Sequence, residues 1–288
     1  MIVDCVLEAR AALGEGPLWH PGEQALYWID IKAPALHRLD PASGREKHWP
    51  LPEAIGSFCF REAGGLVLAL RSGLAFLDPE SGGITPVARP DEPPGNRFND
   101  GKCDRAGRFF AGTMDDAETA CSGALYRLDP DRSLHRIRSD VYISNGLGWS
   151  TDDRVMYFTD SPRQVIWAYD YDIVTGRTAN ERVFARIAED AGYPDGLCVD
   201  AEDHVWSAHW DGARLTRWRP DGSIERVVPM PVPRPTSCCF GGPDLATLYV
   251  TSARTGLDER ALAAAPLAGG VFALEPGVRG QPTAFFAG

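Results

Sequence analysis

The sequence is short of the features that would place it in a membrane, on a nucleic acid or around a soft metal. No stretch of its 288 residues is apolar for long enough to cross a bilayer; the nearest approach, residues 261–274, is broken by Pro266, Gly269 and Gly270. There is no run of basic residues, and 29 Lys and Arg against 40 Asp and Glu leave a formal charge of −11. Neither a nucleic acid nor an anionic membrane is therefore expected as a partner. Met1-Ile2-Val3-Asp4-Cys5 has neither the basic nor the apolar segment of a secretory leader. The seven cysteines are odd in number and form no C-x-x-C pair, which argues against a disulfide framework or a zinc knuckle. Buried free thiols in a reducing cytoplasm are the expectation. A Gly-x-Ser-x-Gly elbow is missing, and Gly14-x-Gly16 lacks the third glycine and the helix of a dinucleotide fingerprint. Helix signals are as scarce: one short piece, Glu259 to Ala264, has an N-cap candidate in Asp258 and a stop in Pro266.

What the chain does have is turns and a period. Thirty glycines and 23 prolines punctuate a sequence that is 44% hydrophobic. Six aromatic or β-branched runs each follow a turn-like polar cluster. Anchored on Tyr27, Val67, Phe110, Tyr157, Trp206 and Tyr249, they are spaced 40, 43, 47, 49 and 43 residues apart. Between them, alternating segments such as Ala35-Leu36-His37-Arg38-Leu39-Asp40 and Leu125-Tyr126-Arg127-Leu128-Asp129 read as half-exposed strands. A 40–50-residue period with several strands per repeat predicts an all-β fold, a six-bladed β-propeller with four antiparallel strands per blade. No linker interrupts it, so residues 1–288 are expected to form a single domain. A ring of blades must close or leave bare sheet edges. Asp4-Cys5-Val6-Leu7-Glu8 and Gly270-Val271-Phe272-Ala273-Leu274 are the strands that would share one blade.

The same period carries the chemistry. Glu15, Asn99, Asn145 and Asp195 lie 12, 11, 12 and 11 residues before their anchors, each close to a glycine. Alone, Pro194-Asp195-Gly196 is an ordinary turn. In register, the four residues occupy one place in four blades. If that place is the start of the innermost strand, their oxygens converge on the central channel at one end of the ring. Asparagine is scarce, with only Asn96, Asn99, Asn145 and Asn180, yet two of the four fall here. The corresponding stretches Ile55-Gly56-Ser57 and Ser237-Cys238-Cys239 supply no acid. Two carboxylates with one or two amides suit a hard divalent cation with water completing its shell, rather than a tetrahedral zinc site.

Gly14-Glu15-Gly16-Pro17-Leu18-Trp19, Asn96-Arg97-Phe98-Asn99-Asp100-Gly101-Lys102, Ile143-Ser144-Asn145-Gly146-Leu147, Pro194-Asp195-Gly196 and Thr236-Ser237-Cys238-Cys239-Phe240-Gly241-Gly242 appear in this order. In them the chain resembles the regucalcin (senescence marker protein 30)/gluconolactonase family over residues 8–288. The resemblance implies a lactonase: hydrolysis of a sugar lactone, such as gluconolactone or a pentonolactone, with one divalent ion, which in the family is calcium, zinc, manganese or iron. It implies Glu15, Asn145 and Asp195 as metal ligands and Arg97, Asn99 and a glutamate after Gly112-Thr113-Met114 as substrate contacts. That glutamate is Glu118, with Asp116 as the alternative in the same loop. Asp195 would double as the base. A small-molecule lactone is the expected partner of a cytoplasmic monomer or weak oligomer. The alternatives are a calcium-binding protein without turnover and a phosphotriesterase or aryl esterase on the same fold. Trp149, Trp206 and the Cys238-Cys239 thiols read as core; of the histidines only the stretch His209-Trp210 is a candidate for the channel, with His209 read as a solvated histidine.

Overall fold

The computed structural model describes residues 1–288. It contains six four-stranded antiparallel sheets; in five of them the strands pair in sequence order, and the sixth joins the two ends of the chain. This is the six-bladed propeller that the period predicts. The innermost strands are Gly14–His20, Ile55–Phe60, Asn96–Cys103, Ser144–Trp149, Tyr193–Val199 and Pro235–Gly241. The anchor residues all fall in the second strand of their blade, for example Tyr27 in Ala25–Asp30 and Trp206 in Val205–Trp210. The ring closes as the termini suggest. Asp4–Leu7 pairs antiparallel with Val271–Leu274 and becomes the outer strand of the last blade.

Blades lie face to face, so the inner strands are covered on both sides and read as continuous apolar runs rather than alternating ones. Leu66–Leu70 (LVLAL) is buried throughout. The fourth strands are the most exposed of each blade: Arg45–Pro50 (REKHWP) is almost wholly so. The buried apolar side chains divide into six clusters, one at each interface between adjacent blades. Leu18, Tyr27 and Ile29 meet Phe58, Leu66 and Leu68 between the first two; Trp206 and Leu215 meet Phe240 and Leu248 between the last two. Fully burying one such side chain contributes about 1.5–3 kcal/mol, so the ring is held mainly by these contacts between sheets. Trp149 and Trp206 belong to them, as do Cys238 and Cys239. The one α-helix is Glu259–Ala264, capped by Asp258, whose carboxylate accepts from the Ala261 N–H at 2.8 Å.

Two features near the axis position the site. First, every innermost strand carries a register shift close to its start, after Glu15, Ile55, Phe98, Asn145, Pro194 and Pro235. A bulge releases the ladder and re-aims a side chain. In four blades it lies beside the residue that lines the cavity at the end of the ring: Glu15, Asn99, Asn145 and Asp195. The strands crowd there: a Cβ on Gly146 would lie 2.7 Å from the Asp195 carbonyl oxygen and 2.7 Å from Thr159 Oγ1. Second, residues 279–288 cross the opposite end of the channel and touch all six blades. Gln281 Nε2 donates to Trp149 O and Asp200 O at 3.3 and 3.2 Å. Thr283 Oγ1 donates to Trp19 O at 2.8 Å. The Gly280 and Phe286 amides donate to Leu245 O and Phe60 O, and the Ala287 amide to Gly107 O. Phe286 is fully buried. These residues lie over a small cavity of about 90 Å³ at that end, and the larger opening is at the end where the innermost strands begin.

Candidate active site

That open end is a cavity of about 460 Å³. Glu15, Arg97, Asn99, Glu118, Asn145 and Asp195 all line it, so residues that lie up to 180 positions apart in sequence meet there. Lys32, Ser161, Tyr193, Trp210 and Arg234 are among the other lining residues.

Its floor is a buried polar network. Arg97 Nη1 donates to Asn99 Oδ1 at 2.7 Å, and Asn99 Nδ2 donates to Asn145 Oδ1 at 3.0 Å and to Ser144 O at 2.8 Å. Asn145 Nδ2 donates to Ser161 Oγ at 2.8 Å, which donates to Pro194 O at 2.6 Å, next to Asp195. One chain of hydrogen bonds thus runs from the third blade to the fifth and fixes both amides. Their oxygens are fixed with them.

Two further carboxylates hold the approaches. Asp30 accepts from the Ala12 and Leu13 amides at 2.7 and 3.1 Å, just ahead of Glu15. Asp160 accepts from the Tyr142 and Ile143 amides at 3.4 and 3.2 Å, just ahead of Asn145. Both acids stand 15 residues after the group they serve. That equal offset was visible in the sequence, and the reading of the motifs missed it.

Glu15 and Asp195 are buried, at 7% and 5% exposure, and neither makes a salt bridge within the chain. Burial, and then the charge of Asp100, push the Glu15 carboxyl up to about 8. Burial and the charges of Glu15 and Asp100 raise Asp195 well above the usual carboxylate range. Asp100 is itself raised by burial, and its Oδ2 has no hydrogen-bond partner. Buried acids whose burial outweighs the nearby charges of Arg97 and Lys102, and that form no salt bridge, call for a further cation. No three Asp, Glu, His or Cys side chains are arranged to hold one; beside the two acids, the amide of Asn145 lines the same cavity and offers a further oxygen. The donor set fits a hard divalent ion. Below it the Lys102 ammonium donates to Leu197 O at 2.6 Å inside the channel.

The loop after Met114 separates its two acids. Asp116 takes Arg97 Nε at 2.7 Å, Arg71 Nη1 at 2.8 Å and Lys32 Nζ at 3.4 Å. Burial opposes its ionisation, but the hydrogen bonds from Arg97 and Arg71 prevail and hold it down to about 2. Glu118, in the left-handed region at φ 59°, lines the cavity. His209 differs from expectation: it is 1% exposed, its Nδ1 lies 2.9 Å from Ala191 O, and burial lowers it to about 4. Strand alternation is the reason, since His209 turns into the blade and its neighbour Trp210 lines the cavity.

Comparison with known proteins places this geometry. Residues 13–254 match the family model described as the SMP-30/gluconolactonase/LRE-like region. The chain is 41% identical to regucalcin of Danio rerio, covering 99% of this chain and 98% of that protein. It is also 41% identical to a 6-deoxy-6-sulfogluconolactonase of Pseudomonas putida, with 99% and 98% coverage. Among solved structures, a calcium-binding regucalcin of Agrobacterium tumefaciens superposes with a TM-score of 0.94 at 30% identity, over 98% of this chain and 96% of that one.

Proposed function

The chain belongs to the SMP-30/gluconolactonase/LRE-like family, and from that premise we propose that it hydrolyses a sugar lactone, of the gluconolactone or pentonolactone kind, to the aldonic acid with one divalent cation. The observation that carries this reading is the meeting of two unpaired buried carboxylates, two ordered amides and a buried arginine on one open cavity. The relative of 41% identity named a sulfogluconolactonase supports the substrate class.

Glu15, Asn145 and Asp195 would hold the cation, which is calcium, zinc, manganese or iron in this reading. When bound, it supplies Lewis-acid polarisation of the lactone carbonyl. Asp195 takes the proton of the attacking water and returns it to the ring oxygen as the ring opens. Arg97, 5% exposed and clamped between Asp116 and Asn99, presents its remaining N–H groups in a fixed direction to substrate hydroxyls. Asn99 and Glu118 complete the polar contact, which sets the carbonyl against the reacting groups. Seven free cysteines support a reducing, cytoplasmic setting.

A calcium-binding role without turnover is the second reading. It is favoured by the name of the solved neighbour and disfavoured by the cavity, which a calcium buffer does not need. A pH-drop assay separates them. Each lactone opened at neutral pH releases one proton as the aldonic acid ionises, so acidification above the buffer blank is expected with aldonolactones. None is expected with phosphotriesters or aryl esters, or after chelation. Acidification only with the latter substrates would move the protein to the esterase alternative.

A further inference from the structure

The cavity has two unlike walls. On the side of the third blade stand the polar Arg97, Asn99 and Glu118, with Met114 beside them. On the side of the fifth stand Tyr193 and Trp210, which face each other across the first two strands of that blade, in register at the cavity end. Tyr193 is 46% exposed, although every other residue of its strand is buried. An aromatic ring left open at a cavity mouth, on a strand that otherwise hides its side chains, marks a contact surface. Trp210 is held in place from its own side. The Arg234 guanidinium lies 4.6 Å from the indole centroid, and its Nε and Nη2 donate to Asp211 Oδ1 and Oδ2 at 2.6 and 3.2 Å. Arg234 Nη1 also donates to Thr255 O. The indole is thus pre-set by a fork-bound cation rather than free to turn, which lowers the cost of using it as a surface.

We infer that Tyr193 and Trp210 form a platform that receives the C–H face of the sugar ring while the opposite wall takes its hydroxyls. The inference rests on the lactone reading and deepens it. A sugar ring has a face where C–H bonds project and an edge where hydroxyls do. Two walls of matching chemistry orient it in one sense only, with the ring carbonyl toward Asp195. The preferred substrate class is then a lactone with a continuous C–H patch on one face, and epimers that turn a hydroxyl onto the platform are discriminated against.

The experiment compares the parent with Tyr193→Ala, Tyr193→Phe and Trp210→Ala, using gluconolactone for kinetics and gluconate for binding by NMR. Tyr193→Ala should raise KM about three- to tenfold, the range of an aromatic contact, and by a larger factor than it lowers kcat. Tyr193→Phe should stay within about twofold of the parent, because the ring and not the hydroxyl makes the contact. On binding to the parent, the C–H signals of gluconate should move upfield through ring currents, and the shift should be lost in Tyr193→Ala. Unchanged KM values in both alanine variants of a chain that turns over the lactone would overturn the platform and leave the lactonase reading standing. If the parent turns over no lactone, that reading falls and the gluconate signals decide: a ring-current shift that Tyr193→Ala abolishes sustains the platform, and its absence from the parent ends it.

Discussion

Glu15→Gln should make the metal-free protein more stable while it destroys the metal site. The Glu15 carboxyl sits at about 8 in the folded chain and at 4.5 when free. Between those values the folded state holds a proton that the unfolded state has lost. The stability that this group contributes is whole below pH 4.5 and is lost as the pH climbs to and through about 8. At pH 7 the distance from 4.5 corresponds to roughly 3 kcal/mol, at about 1.4 kcal/mol per unit. Gln keeps the shape, and its carbonyl oxygen still accepts the Gly16 amide, which the carboxylate takes at 2.9 Å. It holds no proton that must be lost or kept. For a domain of this size, about 3 kcal/mol is a rise of roughly 6 °C in melting temperature. The assay is thermal unfolding of the chelated parent and variant from about pH 4 to 9. The two curves should meet at the acid end and separate as pH rises, with the variant higher. Added divalent cation should stabilise the parent and leave the variant where it was. A chelated variant less stable than the chelated parent at neutral pH would refute the picture of buried, mutually repelling acids.

Two other substitutions test the division of labour. Asp195→Asn keeps an oxygen in place but removes the base, so with metal occupancy restored and checked by metal analysis it should stay slow by about 10²–10⁴-fold, whereas recovery of the parent kcat would leave Asp195 as a ligand only. Arg97→Ala should raise KM for the lactone and leave metal content unchanged; loss of metal would instead assign Arg97, through its bond to Asn99 and thence Asn145, to the ordering of the ligand shell.

The blades were legible because each second strand is a compact apolar run and repeats at a fixed distance. Most outer strands were not, since Arg45–Pro50 is polar almost throughout and Ile224–Pro229 carries its acidic and its basic residue side by side, without alternation. Glu15, Asn99, Asn145 and Asp195 stood out by sharing one offset, and the bulges that turn them inward are written in the acid or amide beside glycine. Tyr193 carries no such mark, and Trp210 has only its place beside His209, the one histidine whose stretch was a candidate for the channel; the closed ring shows which end of a strand reaches the mouth. Which of Glu118 and Asp116 lines the cavity depended on a loop whose backbone visits the left-handed region at Glu118, which spacing does not encode. Residues 279–288 lack a strand pattern altogether, because their hydrogen bonds run to six different blades instead of to one partner.

The most direct test of a single cation at Glu15, Asn145 and Asp195 as the centre of lactone hydrolysis is a reconstitution titration. Chelated protein is given calcium, zinc, manganese or iron in steps, and bound metal and gluconolactone turnover are measured on the same samples. Turnover should start at the blank rate, rise in proportion to bound metal and level off at one ion per chain, with no such rise in Glu15→Gln. Full turnover in the chelated protein, or metal that binds one per chain without raising turnover, would contradict the account.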